Sequence, residues 1–177
     1  LIISNVTTPS TTVSKDMALL QTFTASKVQI DVTNITLDAV PSGQITYASF
    51  NTSTDTPAFL DNATVTFHTA GQVQAGGKLV LQMPDLGVGS QVQSGWGFEA
   101  PTVTFTKPVG APNATAAFNA STRTLTITTS GADMPQDSTY VMIITNVRTP
   151  SSQVSANFVN FSTHDPCLLY TSPSPRD

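Results

Sequence analysis

Apolar and polar residues alternate along most of the chain from residue 45 onward. In one segment Val65 and Phe67 alternate with threonines, and in the next Leu79 and Leu81 alternate with polar or small residues. A period of two predicts β-strands that bury one face, and glycine- or proline-containing turns separate the segments. The eight predicted strands begin near Ile45, Thr64, Lys78, Val103, Ala116, Leu125, Tyr140 and Phe158. Short strands at this spacing predict an all-β fold, an antiparallel immunoglobulin-like β-sandwich.

The same alternation predicts which side chains form the core. The nearly continuous apolar run from Tyr140 to Val147 is typical of a central strand. We expect Lys15–Thr22 to be a strand as well, although its apolar residues also permit a helical turn. The predicted core consists of Val65, Phe67, Leu79, Leu81, Val103, Phe105, Phe118, Leu125, Ile127, Val141 and Ile143.

An internal repeat predicts the domain organisation. The segment Ile2–Ser10 reads IISNVTTPS and Ile143–Ser151 reads IITNVRTPS, so seven of nine positions are identical at an offset of 141 residues. Self-similarity at a fixed offset indicates a tandem array. We therefore expect residues 1–36 to be the last strands of a preceding repeat and residues 37–166 to be one complete β-sandwich repeat.

The last eleven residues differ from the rest of the chain. Residues 167–177 read CLLYTSPSPRD, contain the only cysteine and do not alternate. The string resembles one translated reading frame of a common transposase sequencing adapter at all eleven positions. We interpret residues 167–177 as an adapter-derived, non-native tail, which is excluded from reasoning about the fold.

The composition narrows the functional classes. Serine and threonine make up 47 of the 177 residues, whereas only 10% of residues are charged and the formal net charge is −4. A basic surface for nucleic acid is therefore excluded. The sequence contains no apolar run of the roughly 18 residues that a membrane-spanning helix requires.

Several ordered motifs resemble those of a known class of repeats. They are Val65–Thr69, Ala75–Leu81, Met83-Pro84, Leu125–Thr128, Met134-Pro135 and the block Ile144–Ser151. Together they resemble the tandem immunoglobulin-like β-sandwich repeats of very large microbial cell-surface and secreted proteins. The resemblance spans roughly residues 40–163 and implies an extracellular stalk, fibril or adhesin. It implies no catalytic residues.

The asparagines indicate the compartment independently. Nine asparagines occur, and seven of them stand in Asn-X-Ser/Thr with X other than proline. Such triplets are acceptors for N-linked glycans on secreted chains, although threonine-rich strands also generate them by chance. The seven candidates are Asn5, Asn34, Asn51, Asn62, Asn113, Asn119 and Asn160. We expect Asn51, Asn62 and Asn113 to lie in turns, and Asn34 and Asn160 to lie in strands.

The sequence contains few residues suited to catalysis or metal binding. No nucleophile elbow, P-loop or dinucleotide fingerprint occurs, and the two histidines, His68 and His164, have no metal-ligand spacing. Asp85 and Glu99 are loop acids near Trp96, and a catalytic pair is the alternative to solvated side chains. We expect no catalytic residues, no resident metal and no cofactor.

Calcium is the one alternative for a bound ion. The loop pairs Asp55 with Asp61, and Asp133 with Asp137, could supply oxygen ligands. The competing interpretation is that these carboxylates cap local backbone amides in turns.

Trp96 and Phe98 stand in a glycine-rich loop and are candidate contacts for a sugar or a partner. The competing interpretation is that Trp96 closes the end of the core. Strand pairing with a neighbour through Thr124–Thr129 or Thr139–Val147 is a further possibility, if those strands are edges and not paired within their own sheets.

These observations predict a structural or adhesive repeat of a large extracellular or cell-surface protein. The expected partners are neighbouring repeats of the same chain, with self-assembly into fibrils and glycans as further candidates, and neither nucleic acid nor a membrane span in this segment. One alternative is a carbohydrate-binding module that uses the Gly87–Phe98 loop. Another is an accessory domain of a secreted glycoside hydrolase.

Overall fold

The computed structural model describes residues 14–38, 45, 47–86, 95–155, 158–164 and 166. The chain divides into two compact units, Leu1–Gly43 and Gln44–Asp177. The segment Ile2–Ser10 and the tail from Cys167 to Asp177 lie outside the described residues, so the repeat boundaries stay a prediction. Within the described part of the chain, no helix is long and apolar enough to cross a membrane.

The described part of the first unit is a β-hairpin. Strand β1 (Asp16–Phe23) pairs antiparallel with β2 (Gln29–Leu37), and the register shifts between Thr22 and Phe23. The strand assignment of Lys15–Thr22 is thereby confirmed, and no helical turn forms there. Nine large apolar side chains of this hairpin are exposed: Met17, Leu19, Leu20, Phe23, Val28, Ile30, Val32, Ile35 and Leu37.

The second unit is an antiparallel sandwich of two sheets, which confirms the predicted all-β fold class. One sheet has the order β3-β4-β10-β6, with β7 also on β10, and the other has the order β11-β5-β9-β8. The strands are β3 (Ala48–Thr52), β4 (Leu60–His68), β5 (Lys78–Gln82), β6 (Gly97–Phe98), β7 (Val103–Lys107), β8 (Asn113–Asn119), β9 (Thr124–Ser130), β10 (Thr139–Arg148) and β11 (Asn160–His164).

The core lies between the two sheets. Phe67 on β4 stacks on Tyr140 of β10 and meets Phe161 of β11 edge to face, with ring centroids 5.5 and 4.9 Å apart. Leu79, Leu81, Leu125 and Ile127 of the opposite sheet are at most 1% exposed. Each large apolar side chain buried in this way contributes about 1.5–3 kcal/mol relative to an exposed one. The predicted core is confirmed at these positions.

The prediction that Val141 and Ile143 point into the core was wrong. On β10 the buried side chains are Tyr140, Met142 and Ile144, whereas Val141 and Ile143 are half-buried on the outer face. The run is apolar at almost every position, so its sequence does not specify whether the even-numbered or the odd-numbered side chains face inward. The pairing of Met142 with the buried Val65 of β4 settles it.

Six further positions differ from expectation. Phe105 and Phe118 are half-buried at the edge of the core, and Phe158 is 89% exposed and precedes β11. The other three are Asn51, Asn62 and Asn113, which lie within strands β3, β4 and β8 and not in turns. Their side chains are exposed because all three belong to the outward-facing parity of their strands.

The repeated block Ile143–Ser151 ends the central strand and turns the chain. Asn146 adopts a positive φ of 56°. Before this residue β10 pairs with β7, and after it β10 pairs with β6. Asparagine tolerates this left-handed conformation better than a β-branched residue does. Beyond it Val147 is 1% exposed and Arg148 binds Glu99 through Nε at 2.9 Å.

Thr149 then fastens the block to the segment that enters β4. Its hydroxyl donates to the carbonyl of Thr56 at 2.6 Å and accepts from the amide of Phe59 at 3.0 Å. The side chain is 5% exposed, so water does not readily replace these bonds. The repeated motif is therefore structural at this position.

A glycine pair makes the turn into β5, as the sequence predicts. Gly76 has a φ of +89°, which glycine adopts without steric cost. A Cβ on Gly77 would lie 2.8 Å from the carbonyl oxygen of Gln74 and 3.0 Å from that of His164. Only glycine fits this close approach of three backbone segments.

We expect Thr149→Val to lower the free energy of unfolding by about 1–3 kcal/mol, because it leaves the Phe59 amide and the Thr56 carbonyl unsatisfied without changing the volume. Urea unfolding followed by the fluorescence of the single tryptophan measures this change. The matched control is Thr115→Val on the exposed face of β8, which should shift stability by no more than about 0.5 kcal/mol. Equal effects of the two substitutions would contradict a stabilising role for these two hydrogen bonds of the Thr149 hydroxyl, which we call the Thr149 clamp.

Burial raises the pKa of Tyr140 above the ordinary value of 10.0. The folded state therefore keeps the phenol proton at a pH where the unfolded chain loses it, and stability falls as pH rises above about 10. We expect the free energy of unfolding of Tyr140→Phe to fall less steeply between pH 9 and 11 than that of the parent. Urea titrations across this range test it, and parallel pH slopes would contradict it.

Candidate functional site

An open groove of about 500 Å³ lies between β3 and β11, which are the outermost described strands of the two sheets on this side. The first sheet has five strands and the second has four. Strand β4 packs over β11 through the contact of Phe67 with Phe161. Strand β3 lies beyond β4 at the edge of its sheet. Its inward-facing side chain Phe50 therefore lines the groove together with Trp96.

Apolar and neutral polar residues line the groove, and none of its described lining residues is charged. Phe50 and Trp96 meet edge to face, with ring centroids 5.6 Å apart and planes at 86°. Val159 and Phe161 form the opposite wall. Thr52 and Ser155 are among the polar residues that line the groove. Such a lining suits an uncharged ligand or an extended apolar segment.

The two candidate aromatic contacts separate in the structure. Trp96 is half-buried with its ring on the groove, whereas Phe98 is 8% exposed and packs on Phe118 with ring centroids 4.8 Å apart. The ring of Phe98 is a core side chain, so only Trp96 is placed to touch a ligand. The sequence suggested the aromatic loop but not the groove, because the other walls come from β3 and β11.

Asp85 and Glu99, the candidate catalytic acids, each bind an arginine of their own. Asp85 lies 3.2 Å from Arg123, and Glu99 pairs with Arg148. Each carboxylate therefore holds its own surface guanidinium and is not directed at a shared substrate position. The geometry gives no support to a carboxylate pair acting together.

Three of the four candidate calcium ligands, Asp61, Asp133 and Asp137, have partners within the protein. Asp133 accepts hydrogen bonds from the Ala75 amide at 2.8 Å and from Gln72 Nε2 at 2.9 Å, which holds the turn before β5. Asp61 accepts from the amide of Asn62. Among the described residues, no three His, Cys, Asp or Glu side chains gather as metal ligands would. Asp61 and Asp133 therefore cap local backbone amides.

A hydroxyl, an imidazole and a carboxylate do line up at the end of β4. His68 contacts Thr139 Oγ1 through Nδ1 at 3.0 Å and Asp137 Oδ1 through Nε2 at 2.9 Å. The Asp137 side chain is 92% exposed, and the three residues lie away from the groove. Catalysis by such a chain requires a positioned substrate and donors for the developing charge. On this open face the arrangement fastens the strand ends of β4 and β10.

All six candidate glycosylation sites in the described part of the chain are exposed. Asn5 lies outside the described residues, and Asn34 belongs to the hairpin of the first unit. Asn51 and Asn62 lie on the outer face of the five-stranded sheet. The remaining three sites, Asn113, Asn119 and Asn160, lie on the outer face of the other sheet.

These last three sites stand at the margins of a threonine-rich face. A single row crosses the sheet from Asn160 through Gln82 and Thr124 to Asn119. Asn113 marks the far end of the same edge strand, β8. Outward-facing threonines of β9, Thr124, Thr126 and Thr128, run through the middle of the face.

No protein-family model matches the chain, and no curated protein matches it in sequence. Among solved structures, the chain is similar to the crystal structure of the RrgA Jo.In complex. That match has a TM-score of 0.36 and 13% sequence identity, and it covers 71% of this chain and 73% of that one. A similarity of this size assigns neither a family nor an activity.

Proposed function

We propose that the chain is a structural or adhesive repeat module of a large extracellular or cell-surface protein. The observation that carries this proposal is the construction of the second unit, in which an apolar core lies between two outer faces rich in threonine, serine and asparagine. Both candidate catalytic acids, Asp85 and Glu99, bind arginines. Among the candidate calcium ligands, Asp137 binds His68 and Asp133 binds a backbone amide. The internal repeat supports an array of such modules.

The mechanical part of this role is resistance of the sandwich to tension along the chain. The first and last strands of the sandwich, β3 and β11, belong to different sheets, and each is held to a neighbour by an antiparallel ladder. Tension applied at the ends of the unit therefore acts on these hydrogen bonds and on the core between the sheets. The Thr149 clamp adds a fixed point where β4 begins.

The surface chemistry supports an extracellular setting. A face with few charges has little to keep it soluble, and N-linked glycans would supply that hydration. Exposure of every described candidate asparagine meets the steric requirement for modification.

Carbohydrate binding is the second candidate, favoured by the Trp96 ring on an uncharged groove. Aromatic rings stack on the apolar faces of sugars, and the serine and threonine residues of the lining offer hydroxyl groups. With Phe98 in the core, this candidate relies on one aromatic contact and on the edge-to-face packing of Trp96 against Phe50.

Single-molecule stretching of the full chain tests the mechanical role. We expect one resistant rupture that releases roughly 400 Å of chain, because about 120 residues of the sandwich extend at 3.3–3.6 Å each. Thr149→Val should lower the rupture force, and Thr115→Val should leave it unchanged. A chain that extends without a resistant rupture would exclude the proposed mechanical role.

Glycosylation is tested by peptide mass analysis of material from a eukaryotic secretory pathway or from the native source. We expect hexose-containing mass increments at the exposed candidate sites, removed by a glycan amidase. Ser121→Ala should abolish the increment at Asn119 alone, since it destroys that triplet and leaves the others intact. Unmodified peptides at every site would reject the glycoprotein part of the proposal.

A further inference from the structure

We propose that copies of the repeat bind one another end to end, with the turn that carries Val109 in one sandwich seated on Phe59 and Leu60 of the copy that precedes it. The inference rests on the proposed role as one repeat of an array. It assigns the partner surface to the two ends of the sandwich.

The exposed large apolar side chains of the second unit gather at its two ends. Tyr47 is 57% exposed and Val109 is fully exposed, and both lie where β4 ends, which we call the upper end. Phe59 and Leu60 are 50% and 38% exposed and lie where β4 begins, which we call the lower end. Among the described residues of this unit, the one other exposed large apolar side chain is Phe158, before β11. Apolar surface at opposite ends is suited to contacts between successive modules.

Backbone hydrogen bonds fix both apolar patches. Val109 stands at the tip of the turn between β7 and β8, where the Ala111 amide donates to the Pro108 carbonyl at 3.2 Å. The Thr149 clamp holds the amide of Phe59, and the Phe59 carbonyl accepts from the Thr149 amide at 2.9 Å. Both side chains therefore project from ordered backbone, and docking them requires little further ordering of loops.

The free charges of the upper end are positive. Lys78 begins β5 and Lys107 ends β7, and neither forms an ion pair among the described residues. The acids of the same end have partners of their own, since Asp137 binds His68 and Asp133 caps a backbone amide. The two lysines are therefore available to an acidic partner.

The free charges of the lower end are negative. Asp55 and Asp61 flank Phe59 in sequence, and neither forms an ion pair within the described part of the chain. The two arginines of this end, Arg123 and Arg148, each hold another carboxylate. An upper end therefore attracts a lower end and repels a second upper end, which favours head-to-tail contacts.

The direction of the chain brings unlike ends together. Strand β1 corresponds to β11 through the offset of 141 residues, because Phe23 and His164 are the final residues of the two strands. Strand β11 runs toward the upper end, and β2 is antiparallel to β1, so the strand at that position runs back toward the lower end. The next repeat begins with β3, whose first residue, Ala48, lies at the upper end opposite Phe67. The chain thus leaves one repeat at its lower end and enters the next at its upper end.

The connection between repeats is short. Residues 38–47 join β2 to β3, and ten residues span at most about 33–36 Å. Parallel side-by-side packing would make this connection run the length of the sandwich, which is about 30 Å for the nine residues of β4. Its Pro41-Ser42-Gly43 is typical of a turn, and such a turn does not fit a fully extended segment. Antiparallel side-by-side packing would leave the apolar ends uncovered, so end-to-end contact agrees best with both observations.

A zero-length cross-link between copies tests the contact. The full 177-residue chain is treated at about millimolar concentration, the effective concentration that a short connection gives, with a carbodiimide that joins a lysine amine to a carboxylate in contact with it. Mixing chains that carry light and heavy nitrogen identifies links between copies by mass. We expect heavy–light links that join Lys78 or Lys107 to Asp55 or Asp61. Links that join other lysine–carboxylate pairs equally often would overturn the proposal.

Two matched variants test the apolar part of the contact. Val109→Asp places a carboxylate against Phe59 and Leu60 and should lower the yield of these links by about tenfold or more, the equivalent of one buried aliphatic side chain. Ala117→Asp places the same charge on the exposed outer face of β8 and should keep the yield within about twofold of the parent. Equal yields from the two variants would show that Val109 is not in the contact and would reject the proposal.

An exchange of charges tests the direction of the contact. Lys107→Glu and Asp55→Lys should each reduce linking between identical chains, because like charges then meet. Mixing the two variants brings opposite charges together again and should restore links between unlike chains only. Failure of the mixture to restore them would contradict head-to-tail stacking. The stretching measurement follows rupture of a single sandwich, so failure here is distinguishable from failure of the proposed mechanical role.

Discussion

Burial of one apolar face from each of two sheets is the constraint on which the whole sandwich depends. Phe67 and Tyr140 stack within one sheet and press on Leu79, Leu81 and the β9 side chains of the other. Charge contributes little, because the ion pairs are exposed and such pairs typically give 0–1 kcal/mol. The turns, the glycine pair and the Thr149 clamp have their effect by holding strands in the register that this core requires.

The same alternation that builds the core also determines the surface. Every second position points outward, and here those positions are mostly threonine, serine and asparagine. Threonine is a favourable strand residue that tolerates exposure, so the chain forms stable sheets with almost no surface charge. A surface of this kind is suited to glycans and to repeated neighbours more than to steering of a charged substrate. The proposed extracellular role follows from this property of both faces.

The described strands form two unequal sheets, which leave one flank of the sandwich open. Strand β3 overhangs β11, so Phe50 and Trp96 pack against each other over a groove and not against a facing strand. The hairpin of the first unit also exposes apolar side chains on both of its strands.

Much of the fold was determined by the sequence alone. The period of two identified the strands, because alternation shows directly which residues share a face. The sequence also offered Asp133 as a loop acid suited to capping a turn, and it caps the Ala75 amide. Where the alternation is lost, only the tertiary structure decides which side chains face the core. In the apolar run Tyr140–Ile144, pairing with β4 turns Tyr140, Met142 and Ile144 inward. The groove was likewise invisible, because its walls come from residues far apart in the chain, and only sheet order sets Phe50 opposite Phe161. Local pattern specifies faces, whereas register and neighbours are non-local and depend on which faces meet.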